Sequence, residues 1–209
     1  MSPRPRATSD RDILAATYRV VSRQGPNLTL SDVAREAGVS PATLVQRFGS
    51  KRGLLLAFAG EGAQSLPEQF KSMRGTSRSA LAAVYATADC MAGMAETPEM
   101  LSNSLAFLQI DLIDPDFHKH ALAHSRAMRA ELKTLLDEAC AGGELQRCDT
   151  NRLARAVQTM IGGSLLQWAI DRDGPVKERL REDLDALLKP RHCPPRQRRR
   201  TPRRPVKRL

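Results

Sequence analysis

The sequence has little from which a catalytic grouping could be built. It has four histidines in 209 residues, and no Ser-His-Asp, Cys-His or paired-carboxylate arrangement has motif support. That argues against an enzyme. Its cysteines, Cys90, Cys140, Cys148 and Cys193, fall at irregular distances with no C-x-x-C pair, so they form neither a zinc nor a disulfide framework. They fit a reducing cytosol. The opening MSPRPRATSD has no apolar h-region, so no secretory signal is expected. The longest uncharged run, Ala156 to Ile170, is interrupted by Gln158, Thr159, Ser164 and Gln167. It is too short and too polar to span a bilayer. No internal repeat and no convincing strand pattern are present.

Acidic residues are missing from one place in particular. Residues 190–209 carry nine Lys and Arg and no Asp or Glu. Residues 1–52 carry nine basic and four acidic side chains, and 53–189 carry fifteen basic and nineteen acidic. The net charge of +10 is thus split into a basic head, a mildly acidic body and a strongly basic tail. Such a balance invites a nucleic-acid partner.

The stretch Thr29 to Lys51, TLSDVAREAGVSPATLVQRFGSK, explains what the head does. Leu30, Val33, Ala34 and Ala37 recur at helical spacing and give one apolar face. Thr29 with Asp32 makes a capping-box start. Gly38 is suited to ending that helix at positive φ. Val39 is apolar within the turn. Ser40 then caps a second helix with Pro41 at its first position. Leu44 and Phe48 point inward. Ala42, Thr43, Gln46 and Arg47 remain outward, small or hydrogen-bonding, free to reach base edges. Two short helices joined by a tight turn are the shape that enters a DNA major groove.

The rest reads as helix throughout. A first helix spans about Asp10 to Gln24, capped by Ser9 with Asp12, and carries Ile13, Leu14, Thr17, Val20 and Val21. A fourth starts after Ser50 with Leu54, Leu55 and Phe58 inward, and breaks are expected at Gly62, Pro67 and Gly75. Further helices are expected over Ser77–Ala95, Pro98–Leu112, Pro115–Ala141, Asp149–Asp171 and Pro175–Leu188. The class is all-α: an N-terminal three-helix helix-turn-helix head, about 1–58, and a larger helical body, 59–189. The Pro- and Arg-rich residues 1–8 and the tail 190–209 are expected to be disordered, with the tail adding salt-dependent phosphate affinity.

The pattern from Ala16 to Leu55 resembles the TetR family of transcriptional regulators. The resemblance covers about a quarter of the chain; beyond it the likeness is only that of an all-helical body of fitting length. It implies a dimer on a palindromic double-stranded operator, a small-molecule effector bound in the body, and no cofactor. Thr29, Ser31 and Lys51 match positions around the phosphates, and Ser40, Pro41, Ala42, Thr43, Val45, Gln46 and Arg47 match the recognition helix. Val45 stands where the family commonly has Tyr, and Arg47 where it often has His or Tyr. The resemblance also implies that the last two helices pair with their copies. Gly162, Leu165, Trp168, Leu180 and Leu184 are the expected dimer contacts, and a kink or a pocket wall is the other reading of Gly162-Gly163.

Other residues invite weaker readings. Met91, Phe107, Met128 and Met160 could line an adaptable ligand cavity or be plain core. Asn103, Gln109 and Gln158 could orient a ligand. Asp116, His120 and His124 share a helix face at metal-ligand spacing, though polar decoration of a solvent face suits them better, so no metal is expected. Cys140 and Cys148 bracket a turn, where a redox switch is the lesser reading. The function expected is a cytoplasmic, ligand-released repressor. A non-specific DNA-coating protein using the tail, or a small helical enzyme, remains open.

Overall fold

A computed structural model describes residues 8–193. The expectations for the N-terminal arm, and for the tail from residue 194 onward, lie outside the described residues. Among the described residues there are nine α-helices and, apart from an isolated bridge between Leu145 and His192, no β-pairing. The helices are α1 (Asp10–Gln24), α2 (Leu30–Ala37), α3 (Pro41–Phe48), α4 (Lys51–Thr76), α5 (Ala80–Gly93), α6 (Pro98–Ile113), α7 (Pro115–Ala141), α8 (Thr150–Asp171) and α9 (Val176–Leu188).

Capping chemistry sets most of these boundaries. Ser9, Thr29, Ser40, Ser50, Ser79, Thr97, Asp114 and Asp149 each accept a backbone N–H in the first turn of the helix that follows. Each bond satisfies a donor that the helix start leaves orphaned. The helix expected to begin at Ser77 begins at Ala80 for this reason, because Ser79 is its cap.

α4 departs from expectation. It runs unbroken through Gly62, Pro67 and Gly75. An interior proline costs a helix about 3 kcal/mol or more, so tertiary packing must hold the axis. Pro67 lies on the exposed side, while Leu66 and Phe70 beside it are buried in the body core. α4 packs more extensively on α7 than any other pair of helices does. Arg74 of α4 donates to Glu131 at 3.0 Å and approaches Glu138 at 3.5 Å, both on α7.

Small residues allow that closeness. A Cβ on Gly60 would lie 3.2 Å from the His120 ring, and one on Gly62 would lie 3.4 Å from His124. His120 and His124 therefore stand against α4 instead of decorating a solvent face, while Asp116 pairs with Arg52 at 2.9 Å. No group of three His, Cys, Asp or Glu is gathered for a metal among the described residues. None of their helices is long and apolar enough to cross a membrane.

Two clusters share the interior. The head cluster holds Ile13, Val20, Val21, Leu28, Val33, Ala34, Leu44, Leu54 and Leu55, together with Phe107 and Phe117 from α6 and α7. The body cluster takes Leu66 and Phe70 of α4 and the inner faces of α5, α7, α8 and α9.

The residues expected at a pocket and a dimer interface are placed by this packing. Phe107 belongs to the head cluster, making edge-to-face contacts with Phe58 and Phe117 at 5.9 Å each. Met128 is buried in the body cluster and Met91 and Met160 pack against it, so Phe107 stands apart from the three methionines. Clefts of about 510 Å3 and 370 Å3 lie elsewhere, the first lined by Thr76, Arg78, Ala82, Tyr85 and Arg181. The second is lined by Pro26, Lys51, Arg52, Leu55, Ile110 and Phe117.

Leu165, Trp168, Leu180 and Leu184 are 6%, 7%, 0% and 0% exposed, enclosed by the chain's own core. The most apolar face of α8 is turned inward. Its outer face shows Gly162, Gly163, Leu166 (46% exposed) and Ile170 (68%).

Asn103 and Gln158 have partners within the protein. Asn103 Nδ2 donates to the Ser22 carbonyl at 3.0 Å, and Gln158 Nε2 to Ser125 at 3.2 Å.

Burial pushes the Asp111 carboxyl on α6 up to about 6, against a smaller opposing pull from His118. A carboxyl raised above its unfolded value holds its proton more tightly when folded. Its stabilising contribution is complete below the unfolded value, about 3.9, and is lost as pH rises through the folded one. Asp111→Asn is therefore expected to raise the melting temperature at neutral pH, with the gain shrinking towards about pH 4. A gain that does not change with pH would show that the carboxyl's ionisation is not its source.

Candidate nucleic-acid interface

The α2–turn–α3 unit is built from short-range rules. Thr29 caps α2, with its hydroxyl and backbone N–H both bonded to the Asp32 carboxylate at 2.7 and 2.9 Å. Those bonds hold the Asp32 carboxyl below the usual carboxylate range, with Thr29 the leading cause. Gly38 takes φ 67° and ψ 34°, a left-handed conformation that glycine adopts without steric cost. The Val39 N–H bonds back to the Ala34 carbonyl at 3.0 Å, and its side chain packs against the head cluster. Ser40 accepts the Thr43 N–H at 3.1 Å, and Pro41 opens α3. Leu44 is buried between the two helices and α4.

What remains outside is a short ridge. Pro41, Ala42, Val45 and Gln46 are exposed, as are Ser31 and Ser40. Val45 is 47% exposed, an apolar side chain that the head's own core does not claim. Thr43 is half-buried, with its hydroxyl 2.9 Å from that of Ser40.

The two cations expected at DNA are engaged within the head. Arg47 Nη1 donates to the Thr8 carbonyl at 2.6 Å and to Asp10 at 3.2 Å. It thus ties the end of α3 to the start of α1. Lys51 Nζ donates to the Pro26 carbonyl at 2.8 Å. Glu36 of α2 is clamped by Arg19 at 2.6 Å and Arg23 at 2.5 Å from α1. Those two arginines, Arg19 first, hold its carboxyl low.

Sequence reasoning missed two residues that position this unit. Gly53 sits in the first turn of α4, where a Cβ would lie 2.0 Å from the Phe48 backbone carbonyl. The last turn of α3 therefore lies flush against α4 only because that side chain is absent. A glycine inside a helix start disfavours the helix by about 1 kcal/mol, and that penalty was the available signal.

The second is Arg52. It bonds Asp114 at 2.7 Å and Asp116 at 2.9 Å, and lies 5.4 Å from the centre of the Phe117 ring. The start of α4 is thereby clasped to the α6–α7 corner. Its partners are remote in sequence, so no local pattern pointed to it. Gly25, at φ 61°, seats the end of α1 on the same body helix; its Cβ would be 3.1 Å from Asn103 Oδ1.

Gly53→Ala forces the backbone to move and is expected to lower stability by about 1–3 kcal/mol, the usual cost of overpacking. It should also displace α3. Gly75→Ala, in the same helix, meets nothing within 4 Å and is expected to be neutral or stabilising by up to ~1 kcal/mol. Thermal melts of the two variants check this, and equal effects would contradict the close approach at Phe48.

Residues 13–58 match the family model "Bacterial regulatory proteins, tetR family", and 78–191 match "BetI-type transcriptional repressor, C-terminal". The chain is 25% identical over 173 residues to the HTH-type transcriptional regulator BetI of Agrobacterium fabrum, covering 78% of each chain. It is likewise 25% identical to BetI of Brucella canis, covering 79% of this chain and 82% of that one. Two solved structures share the fold. A TetR transcription regulator from Haloarcula marismortui has a TM-score of 0.70 at 19% identity, with coverage of 88% of this chain and 97% of that one. The reduced form of Escherichia coli NemR has a TM-score of 0.71 at 15% identity, with coverage of 88% and 98%. With a helix-turn-helix model matched over residues 13–58 and a body model matched over more than half of the chain, this protein belongs to the TetR family and is a DNA-binding transcriptional regulator.

Proposed function

We propose that the protein is a cytoplasmic repressor that acts by binding alone. It would hold a palindromic operator as a two-fold dimer and be released from it by a small molecule. The observation that carries this reading is the outer ridge of α3. Its side chains are small or amide-bearing, exposed, and fixed at both ends by capping. Gln46 is the base reader, because its amide can bond adenine bidentately. Ala42 and Val45 offer methyl contacts to thymine. Thr29, Ser31, Ser40, Pro41, Thr43 and Lys51 line the phosphate side. Lys51 exchanges its bond to the Pro26 carbonyl for a phosphate, an exchange of one hydrogen bond for another.

Arg47 takes a different role from the guanine contact its position suggests. Its Nη1 bonds both the Thr8 carbonyl and Asp10, so it braces α3 on α1 through that nitrogen and offers its remaining N–H groups to phosphate.

The dimer face is the outer side of α8: Gly162, Gly163, Leu166 and Ile170, with the glycines admitting a close helix crossing. The outer side of α9 is less suited. Arg181 and Lys177 there turn to Asp89 of α5 at 2.5 and 3.4 Å. α4 carries the effector signal, because it is one helix from the head to the body and lies along α7. A ligand that binds better to the helix arrangement incompatible with DNA shifts the population towards it.

The test is a footprint and shift assay on the DNA flanking the gene, at moderate salt. An inverted repeat should be protected against competitor DNA, and Gln46→Ala should weaken that binding alone by about 1–3 kcal/mol. Equal affinity for every sequence would favour a DNA-coating protein instead.

Leu166→Glu with Ile170→Glu replaces exposed side chains, so the fold should survive. Sedimentation should then show monomers, and operator affinity should fall. A double variant that remains a dimer would move the interface off α8.

A further inference from the structure

Three of the four cysteines converge on the turn between α7 and α8. Cys140 is half-buried in the last turn of α7, and its Sγ–H donates to the Gln146 carbonyl at 3.4 Å. Cys148 is exposed, directly before the α8 cap Asp149 and two residues after Gln146, whose carbonyl Cys140 bonds. A separate bond fixes the two helices to each other. The Thr150 hydroxyl donates to Asp137 at 2.5 Å, so the end of α7 and the start of α8 are side by side around the two sulfurs. The turn includes Gly142 and Gly143, the latter at φ 75° with no atom near its Cβ position. Cys193 approaches the turn from the other side, its N–H bonded to the Glu144 carbonyl at 3.2 Å. Cys90 lies apart, exposed on α5.

We propose that Cys140 and Cys148 are an oxidant-responsive dithiol that closes to an intramolecular disulfide, with a peroxide as the oxidant, and locks the end of α7 to the entry of α8. Exposure makes Cys148 the sulfur attacked first. Burial, followed by the neighbouring Cys148, holds the Cys140 thiol above the ordinary thiol range, so Cys140 meets the oxidant more slowly than Cys148 does. The Cys148 thiolate attacks the peroxide O–O bond and becomes a sulfenic acid, and the departing hydroxide takes up a proton as water. Cys140 then gives up its proton and attacks the Cys148 sulfur, and the sulfenic hydroxyl leaves as water. Two thiols and one hydrogen peroxide yield one disulfide and two waters. The sulfurs lose two electrons and the peroxide gains them. In a reducing compartment the pair rests as thiols and closes only under oxidant.

The clamp acts on α8, the helix proposed above to carry the dimer contact, but its chemistry does not depend on that reading or on DNA binding. The test treats the reduced full-length protein with hydrogen peroxide, alkylates it, digests it with trypsin and reads the peptides by mass. Trypsin cuts after Arg147, which puts Cys140 and Cys148 on separate peptides, so a bridge joins two distinct masses. The expected result is joint loss of alkylation at Cys140 and Cys148, recovery of their bridged peptide, and its reversal by a thiol reductant. Cys90 and Cys193 should stay alkylatable. Cys148→Ser, at an exposed site, should leave the fold intact and restore alkylation of Cys140. Cys193→Ser should leave the bridge unchanged. A bridge from Cys140 to Cys193, a bridge only between chains, or continued alkylation of Cys140 after oxidation would each overturn the proposal.

Discussion

The packing of α4 against α7 is the contact on which the rest of the molecule depends. At about 1.5 Å per residue, the 26 residues of α4 reach from the DNA-reading turn to the far side of the body. A helix of that length, with glycines and a proline in it, has no reason to be straight alone. It is held by Leu66 and Phe70 on one side, by the Arg74 ion pairs near its end, and by the absence of side chains at Gly60 and Gly62. His120 and His124 fill the space those glycines leave. The head's orientation is therefore set by the body, and a displacement of α7 cannot leave α4 where it was.

A second set of contacts makes this joint stiff at the head end. Phe58, Phe107 and Phe117 interlock edge to face, a geometry that aromatic quadrupoles favour. Arg52 closes over Phe117 and takes both acidic side chains of the α6–α7 corner. Exposed ion pairs of this kind are worth only ~0–1 kcal/mol each, so the aromatic stack supplies the cohesion and Arg52 the register. Phe107 and Phe117 are body residues that complete the head's core. The head is thus not a self-contained unit, although its motif reads as one.

How much of this was legible in the sequence follows from the range of the interactions. The helix-turn-helix was legible because Thr29 with Asp32, Gly38, Ser40 and Pro41 act on neighbours within three or four residues. Nearly every later helix was located by the same signals. The features that were not legible are decided across the fold. Pro67 reads as a breaker until Leu66 and Phe70 have partners. His120 and His124 look like surface or metal ligands until α4 offers its glycines. On α8, the resemblance implied a partner for Leu165 and Trp168, but nothing local showed that the chain's own core would enclose them. Leu180 and Leu184 failed in the same way.

The head's charge has to be read with its partners in place. Arg19, Arg23, Arg35, Arg47 and Arg52 all sit in ion pairs with Asp or Glu, so the basic excess of residues 1–52 overstates the field the head presents. The same weakness that makes such pairs poor stabilisers makes them exchangeable. A phosphate approaching Arg47 competes with an exposed Asp10 contact at 3.2 Å, while the shorter bond to the Thr8 carbonyl carries no charge to be displaced. Arg47 can thus gain a phosphate without releasing α1. On the proposed reading, base discrimination falls to Gln46 and to the methyl surface of Ala42 and Val45, side chains that bring no charge of their own. Specificity, as proposed, comes from shape and hydrogen bonding on α3, and electrostatic attraction from residues that do not read bases.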